Sequence, residues 1–233
     1  MRIEMKILLF DIDGTLLNSG GAGYRAMTRA FKALFDIENG LKGVTLSGMT
    51  DAVIFKNACE ANDVAFQNHK QAEFKKIYLE FLRVEMPKPN PEKFMCPGID
   101  ELLPVLADIP DIYLGLLTGN FTEGARIKLD DFGLNKFFEF GAFGDDNSDR
   151  NLLYNYAIER FTKKYGLIPH GSQVWIIGDT PRDIACAQPH NAWSVAVATG
   201  SFTTEDLAME NPHFLFNDLS DTKAFLQVLD HRA

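Results

Sequence analysis

Cysteine is scarce in this sequence, and the three that occur, Cys59, Cys96 and Cys186, stand far apart with no C-x-x-C pair. An odd, scattered set supplies neither a disulfide framework nor a zinc knuckle, and a reducing cytoplasm is the expected setting. Long apolar runs are missing as well. The run at residues 7–10 is too brief for a signal-peptide core and leads straight into Asp11, and no other run approaches membrane-spanning length. Positive charge is in deficit, with 23 Lys and Arg against 32 Asp and Glu and a formal net charge of -9. The basic residues are scattered, whereas binding to a duplex or an anionic membrane relies on clustered Lys and Arg, so neither is expected as a partner. A small molecule is. A bound divalent cation can still make one pocket locally positive on an acidic protein. The histidines, His69, His170, His190, His213 and His231, show no metal-ligand spacing. No internal repeat or low-complexity tract is present.

What remains is ordinary globular material: 233 residues, 46% hydrophobic and 24% charged, enough for a sizeable core in one domain or a domain with an insertion. Ile7-Leu8-Leu9-Phe10 is a continuous apolar run, as expected of a strand buried on both faces. Similar runs recur at 112–117, ending in Thr118-Gly119-Asn120, and at 174–177, ending in Gly178-Asp179-Thr180. Residues 194–198 and 214–216 supply further strands, and 138–140 reads as strand-like. Helix-period segments at 99–107, 122–132, 151–165 and 182–188 alternate with them, so the fold class is α/β with a parallel, doubly wound sheet. In such sheets ligands sit beyond the carboxyl ends of the strands, where the polar tripeptides fall.

From about Asn18 to Phe94 the alternation stops. Apolar residues recur there at spacings of three and four (Met27, Ala30, Phe31, Leu34; Phe74, Ile77, Tyr78, Phe81, Leu82), a helical pattern without strands. Pro87-Lys88-Pro89-Asn90-Pro91 then punctuates the return. The expected organisation is a core of residues 1–17 and 95–233 with an all-helical cap at 18–94, which serves as a lid or merely enlarges the core.

Asp11-Ile12-Asp13-Gly14-Thr15 places two carboxylates at the end of the first strand. Alone, two nearby Asp residues also suit a solvated turn; their company changes the reading. Thr118, Gly119 and Asn120 offer a hydroxyl, a backbone N–H and an amide, the donors a phosphoryl group needs. Asp179 and Asp183, in Gly178-Asp179-Thr180-Pro181-Arg182-Asp183, bring two more acids to the same sheet edge. Hard cations such as Mg²⁺ prefer a few carboxylate oxygens with water and phosphate, and unpaired acids gathered without one repel strongly.

This ordered set resembles the haloacid dehalogenase superfamily of hydrolases, in its phosphoglycolate-phosphatase-like branch with a helical cap, over nearly the whole chain. The resemblance implies a magnesium-dependent phosphatase that hydrolyses a small phosphorylated metabolite. Asp11 would be the nucleophile and form an aspartyl-phosphate, with Asp13 as general acid and base. Magnesium would be held by Asp11, the backbone carbonyl of Asp13 and Asp179, with Asp183 bonding directly or through water. Thr118 and the backbone of Gly119 and Asn120 would grip the phosphoryl oxygens. The sequence departs from the family's usual Lys-Pro pattern, and Arg150, before a helix, is the candidate cation; a surface Arg on an acidic loop is the alternative. Gly48, Thr50 and Asp51, in Ser47-Gly48-Met49-Thr50-Asp51, resemble the substrate-facing loop of the cap. A monomer or homodimer is expected.

Several lookalikes are set aside. Gly21-Ala22-Gly23-Tyr24-Arg25-Ala26 fits a dinucleotide fingerprint formally but lies past the first strand's turn, as a helix-entry loop does. Asp145, Asn147 and Asp149 mimic a calcium loop, yet Arg150 stands where Gly is required and Tyr156 where a bidentate Glu belongs. A dehalogenase has no use for Asp13, Asp179 and Asp183 together, and nothing marks Lys42 or Lys56 as the Schiff-base lysine of a phosphonate hydrolase. A phosphosugar mutase shares the whole core, and a non-catalytic binding or regulatory module shares the fold.

Overall fold

The computed structural model describes residues 5–230; residues 1–4 and 231–233, with His231 among them, lie outside the described part of the chain. Its elements in chain order are β1 (Lys6–Phe10), β2 (Leu17–Ser19), α1 (Ala22–Phe35), α2 (Asp51–Ala61), α3 (Asn68–Glu85), β3 (Lys93–Met95), α4 (Ile99–Ala107), β4 (Ile112–Leu117) and α5 (Thr122–Asp130). There follow β5 (Phe140–Ala142), α6 (Leu153–Tyr165), β6 (Val174–Gly178), α7 (Pro181–Ala187), β7 (Trp193–Val197), α8 (Thr204–Met209), β8 (Phe214–Phe216) and α9 (Thr222–Leu229).

Six strands form one sheet in the order β5-β4-β1-β6-β7-β8, with every pairing parallel. The apolar run of β1 follows from its central place. Leu8 and Phe10 point into one apolar layer with Leu116, Ile177 and helices α4, α5 and α9. Ile7 and Leu9 point into the other, with Val174, Ile176 and helices α6 and α7. Each such side chain contributes about 1.5–3 kcal/mol by leaving water, which fixes the strand's register. Because β1 lies between β4 and β6, the chain's crossovers run to opposite sides of it, and a crevice opens beyond its carboxyl end.

Between β2 and β3, helices α1–α3 pack around their own apolar cluster, in which Phe31, Phe55, Phe74 and Tyr78 are central. One expectation is corrected here, because residues 18–94 are not free of strand. Asn18 and Ser19 pair antiparallel with Phe94 and Lys93, forming a ribbon where the chain leaves and re-enters the core. Three-residue strands with polar members show no alternation, and only the fold brings their ends together. The strand expected at 138–140 lies at Phe140–Ala142 instead, after a 3-10 turn at Asn135–Phe137. Its small residues hide it: a Cβ on Gly141 would come within 2.7 Å of the Leu116 side chain, so an apolar run cannot occupy this strand.

The insertion is tied to the core at many points. Asp51 N–H donates to the Gly119 carbonyl at 2.8 Å, Thr50 Oγ1 donates to the Ser148 carbonyl at 3.2 Å, and Lys75 pairs with Asp145 and Arg83 with Glu123. No helix among the described residues is long and apolar enough to cross a membrane.

Candidate active site

The ends of β1, β4 and β6 set three of the sequence-predicted residues side by side. Asp11 continues the ladder beyond β1, its N–H donating to the Ile177 carbonyl at 2.9 Å, and its side chain is buried. Gly14 turns the chain away with φ +82°, and a Cβ there would lie 2.5 Å from an Asp179 carboxylate oxygen, so only glycine permits this approach. Thr118 is fully buried past β4, held by an N–H donated to the Ala142 carbonyl at 3.1 Å. Asp179 leaves β6 and accepts from Thr15 Oγ1 at 3.2 Å. Asp183 lies one turn into α7, where Oδ2 accepts from Thr180 N at 3.0 Å and Thr180 Oγ1 at 2.7 Å.

Asp11, Asp179 and Asp183 each offer an oxygen within 4.8 Å of the others. Burial, opposed by Arg150 and reinforced by Asp183 and Asp13, pushes the Asp11 carboxyl from 3.8 up to about 6. Burial and then the charges of Asp11 and Asp183 drive Asp179 well above the carboxylate range. Acids crowded in this way are the donor set a hard divalent cation suits, since one ion relieves the repulsion among them. Arg150 is buried and opens a 3-10 turn capped by Asp149, whose Oδ1 accepts from Asn151 N at 2.9 Å. Its Nη2 lies 3.3 Å from Asp11 Oδ2 and also pairs with Asp183, while Nε is buried without a hydrogen-bond partner among the described residues. Burial works against this guanidinium's charge, but Asp11 and Asp183 outweigh it and hold the proton above the ordinary range.

Asp13 points elsewhere. Its Oδ2 accepts from Lys128 Nζ at 2.6 Å and from Asn120 Nδ2 at 2.9 Å, and Lys128 Nζ also donates to Asn120 Oδ1 at 2.6 Å. The Asn120 amide additionally donates to Thr118 Oγ1 at 2.8 Å, so that side chain is committed to Asp13, Lys128 and Thr118. A cavity of about 430 Å³ connects these groups with Gly48 and Asp51 of the insertion. Gly48 has φ +69° and abuts Thr180 and Arg182. Asp51 is buried, accepts from Phe121 N at 2.7 Å and is pushed by burial, against Lys128 and that N–H, up to about 7. Thr50 is not among the lining residues; its hydroxyl caps α2 and bridges to Ser148.

The family model described as haloacid dehalogenase-like hydrolase matches residues 8–197. The chain belongs to that family. As an enzyme of the hydrolase class it is 25% identical to the phosphoglycolate phosphatase of Pseudomonas syringae pv. tomato over 92% of this chain and 77% of that protein. It is 22% identical over 90% of its length to 92% of a Clostridium perfringens protein provisionally named the pyrophosphatase PpaX. A solved structure of a predicted phosphoglycolate phosphatase from Haemophilus somnus has the same fold, with TM-score 0.73 and 21% identity, covering 97% of this chain and 100% of the other.

Lys128 and Tyr78 are among the residues of this hydrolase's cavity that sequence reasoning missed. Lys128 lies on the buried stripe of α5 with Gly124, Ala125 and Leu129, and a lysine in an apolar stripe was the available signal. Tyr78 fits the helical core pattern of the sequence, and nothing in its spacing shows that its hydroxyl borders a cavity.

Proposed function

We propose that this hydrolase is a magnesium-dependent phosphoric monoester hydrolase acting on small phosphomonoesters through an aspartyl-phosphate on Asp11. The observation that carries this reading is the separation of roles among the acids. Asp11 shares a buried site with Asp179, Asp183 and Arg150, while Asp13, two residues on, turns to Lys128 and Asn120 with its side chain 43% exposed. Asp11, the Asp13 backbone carbonyl and Asp179 would hold magnesium, with Asp183 directly or through water. When bound, the ion neutralises phosphate charge and lets Asp11 and the phosphoryl group approach.

Asp11 carboxylate attacks phosphorus in line, the ester P–O bond breaks, and Asp13 gives its proton to the leaving alkoxide. In the second step Asp13 takes a proton from water, whose oxygen attacks the same phosphorus. The Asp11–phosphorus bond breaks, leaving free carboxylate and inorganic phosphate. Arg150 and the donors Thr118, Gly119 N–H and Asn120 N–H hold the phosphoryl oxygens. Residues 18–94 act as the cap over the leaving group, with Gly48 and Asp51 at its wall and Thr50 setting the loop. The free, buried Cys59, Cys96 and Cys186 suit the reducing cytoplasm.

The test is magnesium-dependent phosphate release from an aryl phosphate. Wild type turns over, and Asp11→Asn loses at least about three orders of magnitude in kcat. No release by wild type, or undiminished release by Asp11→Asn, would mean a binding module. Phosphate passed between sugar hydroxyls with little free phosphate would mean a mutase.

A further inference from the structure

We propose that Tyr78 Oη and Lys128 Nζ form a leaving-group subsite at the cap end of the cavity, built for a hydroxyl of a neutral, hydroxylated alcohol. The inference rests on the phosphomonoester hydrolysis proposed above and names what the ester oxygen is attached to.

Tyr78 carries the first observation. Its side chain is fully buried, yet Oη has no hydrogen-bond partner among the described residues. Buried phenols are normally bonded, and an orphaned one costs about 1–3 kcal/mol, so its partner is best sought in a ligand. The ring cannot swing to find another: Phe74 stacks on it at 6.2 Å and Phe121 packs on it at 6.3 Å.

Two helical glycines make the second. A Cβ on Gly23 of α1 would sit 3.5 Å from Lys128 Nζ and 3.9 Å from Tyr78 Oη, and one on Gly124 of α5 would sit 3.6 Å from Tyr78 Oη. Neither glycine has a positive φ, so neither is required by the backbone. Their missing side chains leave room beside the phenol and, at Gly23, between the phenol and the ammonium. Gly23, Tyr78 and Lys128 line the same cavity that has Asp11 and Asp13 in its wall.

Charge and donor type choose the ligand. At the cap end Lys128, the lining cation there, already pairs with Asp13, and Asp51 lies near them. A second anionic group on the substrate would have to compete with Asp13 for that ammonium, which suits the subsite poorly. A hydroxyl suits it better, because it accepts from Tyr78 and Lys128 and donates to Asp51 or Asp13.

The test compares kcat/KM of the full chain with magnesium on an aryl phosphate lacking hydroxyls and on a panel of phosphate monoesters of small polyols and sugars. Tyr78→Phe removes only the unpartnered oxygen, and Gly23→Ala places a methyl in ordinary contact within the subsite. The expected result is that wild type prefers a polyol ester and that each variant lowers the ratio of polyol to aryl kcat/KM about tenfold, with melting temperature held or raised. An unchanged ratio in both variants overturns the subsite. A Tyr78-dependent preference for esters bearing a carboxylate or second phosphate overturns its neutral class. Should wild type release phosphate from no ester, the hydrolysis reading fails separately. The subsite then stands or falls on whether polyol phosphates raise the melting temperature of wild type more than that of Tyr78→Phe.

Discussion

The two ends of the cavity solve the problem of buried charge in opposite ways. At the sheet end, Asp11, Asp179 and Asp183 crowd together with Arg150 as the neighbouring cation. At the cap end, Lys128 meets Asp13 one to one, and Asn120 bonds both partners. The first end crowds like charges that a bound cation would relieve; at the second the charged pair is satisfied within the chain. An ion placed at the sheet end would therefore stabilise that end of this hydrolase and leave the Lys128–Asp13 pair unmoved.

The largest expected effect breaks the sheet end. Asp179→Asn removes a buried carboxyl whose ionisation the site opposes, so the metal-free protein melts higher, while magnesium-dependent turnover falls by at least about two orders of magnitude. Calorimetry with and without magnesium checks the first and a phosphate-release assay the second. At a concentration one hundred times its Kd, magnesium stabilises wild type by about 2.7 kcal/mol, and that increment disappears in Asp179→Asn. A wild type whose melting ignores magnesium contradicts the contrast between the ends.

Next, acting on stability alone, is the pH dependence of Asp51. Its carboxyl titrates at about 7 in the folded chain against an ordinary 3.8. Between those values the folded state keeps a proton that the unfolded state has lost, so stability falls as pH rises from about 4 to about 7 and then levels. The full difference is on the order of 4 kcal/mol. Asp51→Asn removes this contribution, leaving those of Asp11 and Asp179 in place. Chemical denaturation should find the mutant ahead of wild type at pH 8 and its advantage shrinking at pH 5; an advantage independent of pH sinks the assignment.

The smallest is Lys128→Met. Asp13 is partly exposed and water can replace the ammonium, so the cost is about 1–2 kcal/mol, much less than a fully buried broken pair would lose. The magnesium increment in melting temperature should survive intact, sharpening the division between the ends. Loss of that increment would show that the two ends are one network.

Much of the core was legible because central parallel strands are apolar on both faces, so β1, β4 and β6 stand out as runs ended by turn residues. The acids at those ends were legible for the same reason, since a strand end in a doubly wound sheet points to one edge. The β2–β3 ribbon and the shifted β5 were not, because three-residue strands with polar or small residues carry no period. Arg150 was readable as a candidate only; its burial between Asp11 and Asp183 depends on how a loop folds back onto α7.

By itself the sequence determined the alternation of strand and helix, the helical interruption after β1 and the acids at three strand ends, because burial on a sheet imposes local patterns. Only the tertiary structure decided that Lys128 reaches Asp13 and that Tyr78 holds an unpartnered hydroxyl against the cavity. Those outcomes depend on how α1, α3 and α5 pack across the seam between insertion and core, and no local period records a contact between side chains about 50 to 115 residues apart.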